Sequence, residues 1–353
     1  MDTDYPNIRE NGLEYIEKKF SFIVPHHQTP ERIDLYLTQS IRNVTRTKVQ
    51  LAIESGNVKI NGKVVKPSRK VQPGDIIECK ILKLPPIKLV PEDIPLEILF
   101  EDEFLIVINK PAGMVTHPGF GNRQGTLVNA VLYHMGERQP IEVEQFDEEE
   151  EQNEGVIYSS DEIRPGIVHR LDKDTSGLIV IAKNPSIHFE LQKQFHDRTI
   201  NRFYNALVWG VIEEDKGTIT GDIGRSSLNR KLFAVVKKDG KPAITDFEVL
   251  ERFEFATLLQ VKLRTGRTHQ IRVHLSHNRH PIFGDPSYGG DKIVYKQNFS
   301  ELKRKAEIAL SKINRQMLHA RTLGFKHPVR NIYMQFDSEL PEDMKNCIEL
   351  LKI

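Results

Sequence analysis

The apolar residues Leu178, Ile179, Val180, Ile181 and Ala182 stand together, directly after a polar stretch that runs from His169 to Gly177. An uninterrupted apolar run of this length, bounded by turn-forming residues, reads as a buried strand. The polar stretch is then a loop at that strand's end, where a sheet usually presents its chemistry. Residues 104–108 repeat the pattern and are broken by Asn109-Lys110-Pro111-Ala112-Gly113. Residues 203–208, 244–250 and 256–263 are predicted as further strands. Helical spacing takes over in two places. Leu127, Val128, Ala130, Val131 and Leu132 mark one helix, and Ile187, Leu191 and Phe195 share a face of a second that starts near Pro185.

The front of the chain is patterned differently. Ile33, Tyr36 and Leu37, then Val49, Ala52 and Ile53, recur at helical spacing, the second group behind Thr45 or Thr47 as a helix cap. Gly56-Asn57 stops that helix. Residues 58–64 alternate around an Asn61-Gly62 turn, and Pro73-Gly74-Asp75 turns the chain into Ile76-Ile77-Glu78. Four prolines between residues 81 and 95 mark a linker. The fold expected is α+β, with an extension over residues 1–30 and a small α-β domain over 31–80. After the linker over 81–95 come a mixed or antiparallel-sheet domain over 96–340 and a tail over 341–353. Within the large domain, residues 136–162 lack apolar periodicity and include Asp147-Glu148-Glu149-Glu150-Glu151, the signature of an inserted acidic loop.

Charge refines this picture locally. The 353 residues carry 50 basic and 49 acidic side chains, a formal net charge of +1, so any basic surface must come from uneven placement. Residues 31–80 supply that unevenness, with basic residues outnumbering acids about two to one. Arg46 and Lys48 fall on one predicted helix, Lys59 and Lys63 flank it, and Arg32 precedes the first helix, a set suited to phosphates. Cys79 and Cys347 are far apart, which argues against a disulfide scaffold and suits a reducing cytoplasm. The first ten residues lack the basic and apolar regions of a signal peptide, and no apolar run approaches ~18 residues, so neither secretion nor a membrane is expected.

Three positions invite chemistry. Asp172 reads either as the residue closing a turn or as a reactive carboxylate. Tyr204 lies inside an otherwise apolar strand, where a core tyrosine is the ordinary reading. Residues 264–274 gather Arg264, Arg267, Arg272, His269 and His274 at a strand-to-helix junction, and arginine suits both phosphates and the task of keeping a carboxylate ionised. Metal sites are not expected. His26-His27 read as surface residues, and His274, His277 and His280 sit beside Arg272 and Arg279, which repel a cation. His117-Pro118-Gly119-Phe120-Gly121 is glycine-rich but lacks the order of a P-loop or a dinucleotide fingerprint, so no nucleotide cofactor is expected. His280-Pro281-Ile282-Phe283-Gly284-Asp285 reads as a rigid turn supporting the arginine segment.

Taken together, two resemblances emerge. Arg32, the stretch TRTKVQLAIESGNVKINGKVV and the PGD turn resemble an S4 RNA-binding domain. NKPAGMVTHP, GTLVNAVLYH, GIVHRLDKDTSGLIVIAK, FYNALVWG, GKPAITDF, TGRTHQIRVHL, HPIFGDPSYGG and LHARTLGFKHP, over roughly residues 90–335, resemble the RluA family of pseudouridine synthases. Its combination with an S4 domain resembles the RluD and RluC branch, which acts on large-subunit ribosomal RNA. The resemblance implies a catalytic Asp172, an active-site Tyr204 and a basic partner in Arg272, with Arg267 as the fallback. His169, Arg170 and Arg267 are implied as RNA contacts, with Arg170 filling the space a flipped base leaves. It also implies no metal or other cofactor, and a cytoplasmic monomer whose partner is ribosomal RNA or the pre-ribosomal large subunit. Transfer RNA as substrate, and a non-catalytic role in ribosome assembly, are the alternatives.

Overall fold

The structure, a computed structural model, describes residues 7–10, 13–41, 44, 46–83, 87–118, 122–143, 166–229, 231–294 and 300–352. Thr45, residues 119–121 of the glycine-rich loop and the acidic stretch 147–151 lie outside the described residues. The chain forms two compact units, one of residues 1–88 with 142–159, the other of residues 89–141 with 160–353.

The first unit is a five-stranded antiparallel sheet carrying two short helices. β1 (Asn7–Glu10), β2 (Leu13–Ile23), α1 (Ile33–Ser40), α2 (Arg46–Glu54), β3 (Val58–Ile60), β4 (Lys63–Val64) and β5 (Ile76–Lys83) give the sheet order β1-β2-β5-β3-β4. Because α2 opens at Arg46, Thr47 lies within the helix rather than capping it. Ile33, Leu37, Val49, Ile53, Val58 and Ile77 close its core. The Asn61-Gly62 turn forms as expected: both residues take positive φ, 50° and 76°, and join Ile60 to Lys63 across a two-residue hairpin. Two boundaries differ from the sequence reading. Residues 13–23 are no free extension; β2 pairs with β5 from Ile16↔Lys83 to Ile23↔Ile76. Residues 81–83, expected in a linker, continue β5, because Ile77, Cys79 and Ile81 are buried at the period of two that a half-buried strand needs.

The second unit is organised by a ten-stranded sheet. The short β6 (Ile87–Leu89) and β9 (Ile141–Val143) fall where the chain passes from one unit to the other, and the elements of the second unit begin with β7 (Glu97–Glu101), β8 (Leu105–Lys110), α3 (Leu127–His134), β10 (Ser176–Ala182) and α4 (Pro185–His196). β11 (Asn201–Trp209), β12 (Lys216–Arg225), β13 (Phe233–Val235), β14 (Lys241–Arg252) and β15 (Ala256–Leu263) follow. α5 (Gln270–His277), α6 (Ser300–Ser311), β16 (Leu318–Lys326), β17 (Tyr333–Asp337) and α7 (Glu342–Lys352) complete it. The strand order is β13-β12-β14-β15-β11-β16-β10-β8-β7, with β17 added on β16, and β10 with β16 is the parallel pair in an otherwise antiparallel sheet.

Burial on both faces explains the continuous apolar runs. Ile106, Ile108, Ile179 and Ile181 feed one core, while Leu105, Val107, Leu178, Val180 and Ala182 feed the other. α4 covers the second core with Ile187 and Leu191, its first turn capped by the Asn184 side chain on the Ile187 N–H. α3 covers the first with Leu127 and Val131 behind a Thr126/Asn129 capping box. The expected tail is in fact α7: Met344, Cys347, Ile348 and Leu351, spaced as one helical face, enter the first core. The central strands come unusually close. Gly177 takes φ 116°, and a Cβ there would stand 2.3 Å from the Ala320 carbonyl oxygen, so only glycine lets β10 lie against β16 just after the HRLD loop.

Candidate active site

Asp172 lies in the loop that enters β10, and its neighbours are fastened from several directions. Thr116 Oγ1 donates to the Leu171 carbonyl at 2.8 Å and accepts the Leu171 N–H at 3.3 Å. Lys110, fully buried at the end of β8, donates to the carbonyls of Pro111, Met114 and Lys173 at 2.8, 2.8 and 3.1 Å. Burial draws its ammonium down to about 7 against the pull of Asp172 and Asp174, while three carbonyl acceptors favour the charged form. Buried Arg315 donates to the Asp174 carbonyl at 3.0 Å and grips Asp343 of α7 at 2.6 and 2.8 Å. The turn itself is closed by the Thr175 N–H on the Asp172 main-chain carbonyl, 3.0 Å. The carboxylate is left for another partner.

That partner is Arg272 on α5. Its Nη1 donates to Asp172 Oδ2 at 2.9 Å, while Nε and Nη2 grip Asp285 Oδ2 and Oδ1 at 2.7 and 2.9 Å. The guanidinium also lies over the Tyr288 ring, 4.9 Å from its centroid. Burial opposes its charge, but Asp285 and Asp172 outweigh that and raise its pKa. For Asp172 burial likewise opposes ionisation, and His269, Arg272 and Arg170 overcome it, holding the carboxyl below its ordinary value. Burial also lowers His269, so at neutral pH the two arginines carry this effect. The turn expected to support the arginine segment does so through Asp285.

Tyr204 is buried on β11, and the sheet register brings it toward this loop. Ala320 of β16 is paired with Gly177 on one side and with Tyr204 on the other, so Tyr204 stands two strands, roughly 10 Å, from Gly177. Burial raises the phenol's pKa; Arg202 opposes and Asp172 adds to the rise, which keeps the hydroxyl protonated at neutral pH. Arg170 is exposed beside Asp172 and acts on it electrostatically. Arg267, the alternative partner, instead sends Nε to the Pro242 carbonyl at 3.2 Å, and its N–H to buried Gln270, 3.0 Å.

His169, expected as an RNA contact, is half-buried and engaged within the protein. Its Nε2 accepts the Val180 N–H at 3.1 Å and its ring stacks on Phe195 at 4.6 Å, so the imidazole fastens the loop to β10. Burial, helped by Arg202, draws it down to about 3. In the first unit, Arg32 and Arg46 both bind the fully buried Asp34, at 2.9 and 2.8 Å, with Gln50 on the same carboxylate. Burial opposes the Asp34 charge, but Arg32, Gln50 and Arg46 hold its pKa well below the carboxylate range. Lys48 is half-buried on α2, while Lys59 and Lys63 are exposed. Among the described residues no group of three or more His, Cys, Asp or Glu is placed to hold a metal ion. His274 turns to Thr245 at 2.9 Å, and His280 donates to the Trp209 carbonyl at 2.8 Å.

Sequence reasoning passed over Lys110, Thr116, Arg315 and Tyr288. Each sits within or beside a quoted motif, yet its role exists only in the tertiary contacts that join distant segments.

Comparison with known proteins places the chain. The RNA pseudouridylate synthase family matches residues 104–277, and the S4 domain matches residues 31–77. An uncharacterized RNA pseudouridine synthase of Chlorobaculum parvum is 47% identical over 92% of this chain and 95% of its own length. Ribosomal large subunit pseudouridine synthase D of Zymomonas mobilis is 40% identical over 91% and 94%, and its namesake in Pseudomonas aeruginosa 38% over 93% and 94%. Human RNA pseudouridylate synthase domain containing 4 shares the fold, with a TM-score of 0.52, 24% identity and coverage of 72% of this chain and 93% of that one. Identity of this extent over nearly the whole length leaves one assignment: the chain belongs to the RNA pseudouridylate synthase family and is an RNA pseudouridine synthase carrying an S4 domain.

Proposed function

We propose that the enzyme isomerises specific uridines of large-subunit (23S) ribosomal RNA, with Asp172 as the nucleophile. The observation that carries the chemistry is the Asp172–Arg272–Asp285 chain: one buried guanidinium, anchored on Asp285, holds Asp172 ionised while its side chain stays 21% exposed. In the isomerisation the N1–C1′ bond breaks and a C5–C1′ bond replaces it. C5 loses a proton and N1 gains one, so no oxidant, reductant or phosphoryl donor is consumed.

The target base is stacked within RNA and must be flipped out to reach the carboxylate. Arg170, exposed next to Asp172, fills the vacated space. Tyr204 offers a ring face to the uracil. With its pKa raised, its hydroxyl gives or relays a proton rather than acting as an anionic base. Relatives named ribosomal large subunit pseudouridine synthase D, 35–40% identical over most of the chain, favour ribosomal RNA, and Lys59 and Lys63 of the S4 domain supply a second grip on a large substrate. Among the described residues no helix is long and apolar enough to cross a membrane, and we place the protein in the cytoplasm as a monomer.

Mapping pseudouridines in RNA from cells with and without the gene tests this reading. Loss of one or a few pseudouridines from 23S RNA is expected. Loss confined to transfer RNA would reassign the substrate, and no loss anywhere would favour a non-catalytic role in ribosome assembly.

A further inference from the structure

We propose that His269 is a further catalytic residue, whose Nε2–H donates a hydrogen bond to a carbonyl oxygen of the uracil as the base leaves its ribose beside Asp172. The proposal rests on the reading of Asp172 as the reacting carboxylate.

The backbone first singles this residue out. His269 precedes α5 at φ 55° and ψ 20°, the left-handed region, and its side chain does not cap the helix. A side chain other than glycine there costs about 1 kcal/mol, and such strain persists where it aims a group. The group aimed is the imidazole. Its Nε2 stands 3.9 Å from Asp172 Oδ2, beyond hydrogen-bond distance, and both side chains keep part of their surface open, 24% and 21%. Two neighbouring groups that each keep surface open, and are not bonded to each other, are arranged for a third.

Its other nitrogen is also engaged. Nδ1 lies 2.8 Å from Tyr288 Oη, and that hydroxyl already accepts the Phe233 N–H at 3.2 Å. With the phenol hydrogen on Nδ1, the imidazole hydrogen sits on Nε2, facing Asp172. Phe233 and Tyr288 pack edge-on against the ring, both at 5.7 Å, so it is held against rotation. Burial lowers His269 and pushes Tyr288 up to about 12, which keeps both neutral at neutral pH. A neutral donor leaves Asp172 free to react, whereas an imidazolium would pair with it.

The chemistry selects the acceptor. When N1–C1′ breaks, the bonding pair stays with uracil and spreads negative charge onto O2 and O4; the new C5–C1′ bond takes a pair back from the ring. A fixed donor accelerates the step only where charge develops, and on this substrate that is the uracil carbonyls.

The test uses the full-length enzyme and its mapped RNA under single-turnover conditions. His269→Gly suits φ 55° and removes the imidazole, so the fold is kept; His269→Gln returns an N–H at similar reach. We expect His269→Gly to lose about 100-fold in rate with RNA affinity within about twofold of wild type, added imidazole to restore part of the rate, and His269→Gln to stay within about tenfold. On RNA with 2-thiouridine or 4-thiouridine at the target, whose sulfur is a weak acceptor, the His269→Gly penalty should shrink for one of the two. An equally active His269→Gly, a loss matched by lost RNA affinity, or an undiminished penalty on both thio substrates overturns the His269 assignment alone. An inactive wild type on that RNA overturns the underlying reading as well.

Discussion

Arg272 joins two carboxylates at once, a task for a planar fork and not for a point charge. Arg272→Lys cannot hold Asp285 and Asp172 together, so we expect single-turnover turnover of uridine to fall on the order of 100-fold. The sign of the accompanying pH effect follows from the same bond. Losing it raises the Asp172 pKa, so the acid limb of the rate profile should move to higher pH, and an unmoved limb would mean that Arg272 does not set the charge on Asp172. Tyr204→Phe keeps the ring and removes the hydroxyl. We expect unchanged RNA binding with product formation slowed by about 100-fold, and a normal rate would reduce Tyr204 to stacking. Asp172, Tyr204 and Arg272 were all legible as candidates in the sequence. What the sequence could not give was direction: His169 and Arg170 are adjacent, yet one ring is turned onto β10 and Phe195 while the other side chain is exposed beside Asp172.

Elements succeeded or failed as predictions according to how plainly their period showed. β10 and β8 were legible because every residue, or nearly every one, is buried, and the Asn61-Gly62 hairpin because its turn chemistry is specific. β2 was missed because Glu14, Glu17, Lys18 and Lys19 interrupt its alternation, although Phe20 and Phe22, followed by Val24 just past the strand, keep the period of two. α7 was passed over as a tail despite its spaced apolar face, because nothing local shows that Asp343 holds Arg315, which donates to the Asp174 carbonyl in the Asp172 loop. The close pairing of β10 with β16 makes a sharp demand. Gly177→Ala should destabilise the protein by about 3 kcal/mol or more, since the added methyl would meet Ala320 backbone, and a denaturation midpoint close to wild type would show that the strands separate cheaply. In the S4 domain, Lys59→Glu with Lys63→Glu should weaken RNA capture and reduce the salt dependence by about one unit per lysine, with the reaction rate of bound RNA unchanged. A binding curve with wild-type salt slope would remove these lysines from the interface.

Across the whole molecule, buried histidines tie stability to pH. Burial draws His169 down to about 3 and His319 to about 4, both below the ordinary value of 6.5. Between those values the unfolded chain binds protons that the folded one refuses, so their contribution is fully present above about 6.5 and is lost as pH falls toward 4. Denaturant midpoints measured between pH 7 and 4 should decline over that window, and His319→Gln should flatten the decline. A profile level down to pH 4 would contradict the neutral burial of both rings. Fold class and enzyme class were readable at this scale because several motifs lie in order along one chain, whereas the domain edges were not, since β2 and β5 meet from opposite sides of the S4 motif. The central claim is that Asp172 supplies the nucleophile, and Asp172→Asn tests it most directly because it preserves shape while removing charge. Under single turnover on the mapped RNA, this variant should bind like wild type and form no pseudouridine; undiminished product formation would contradict the account.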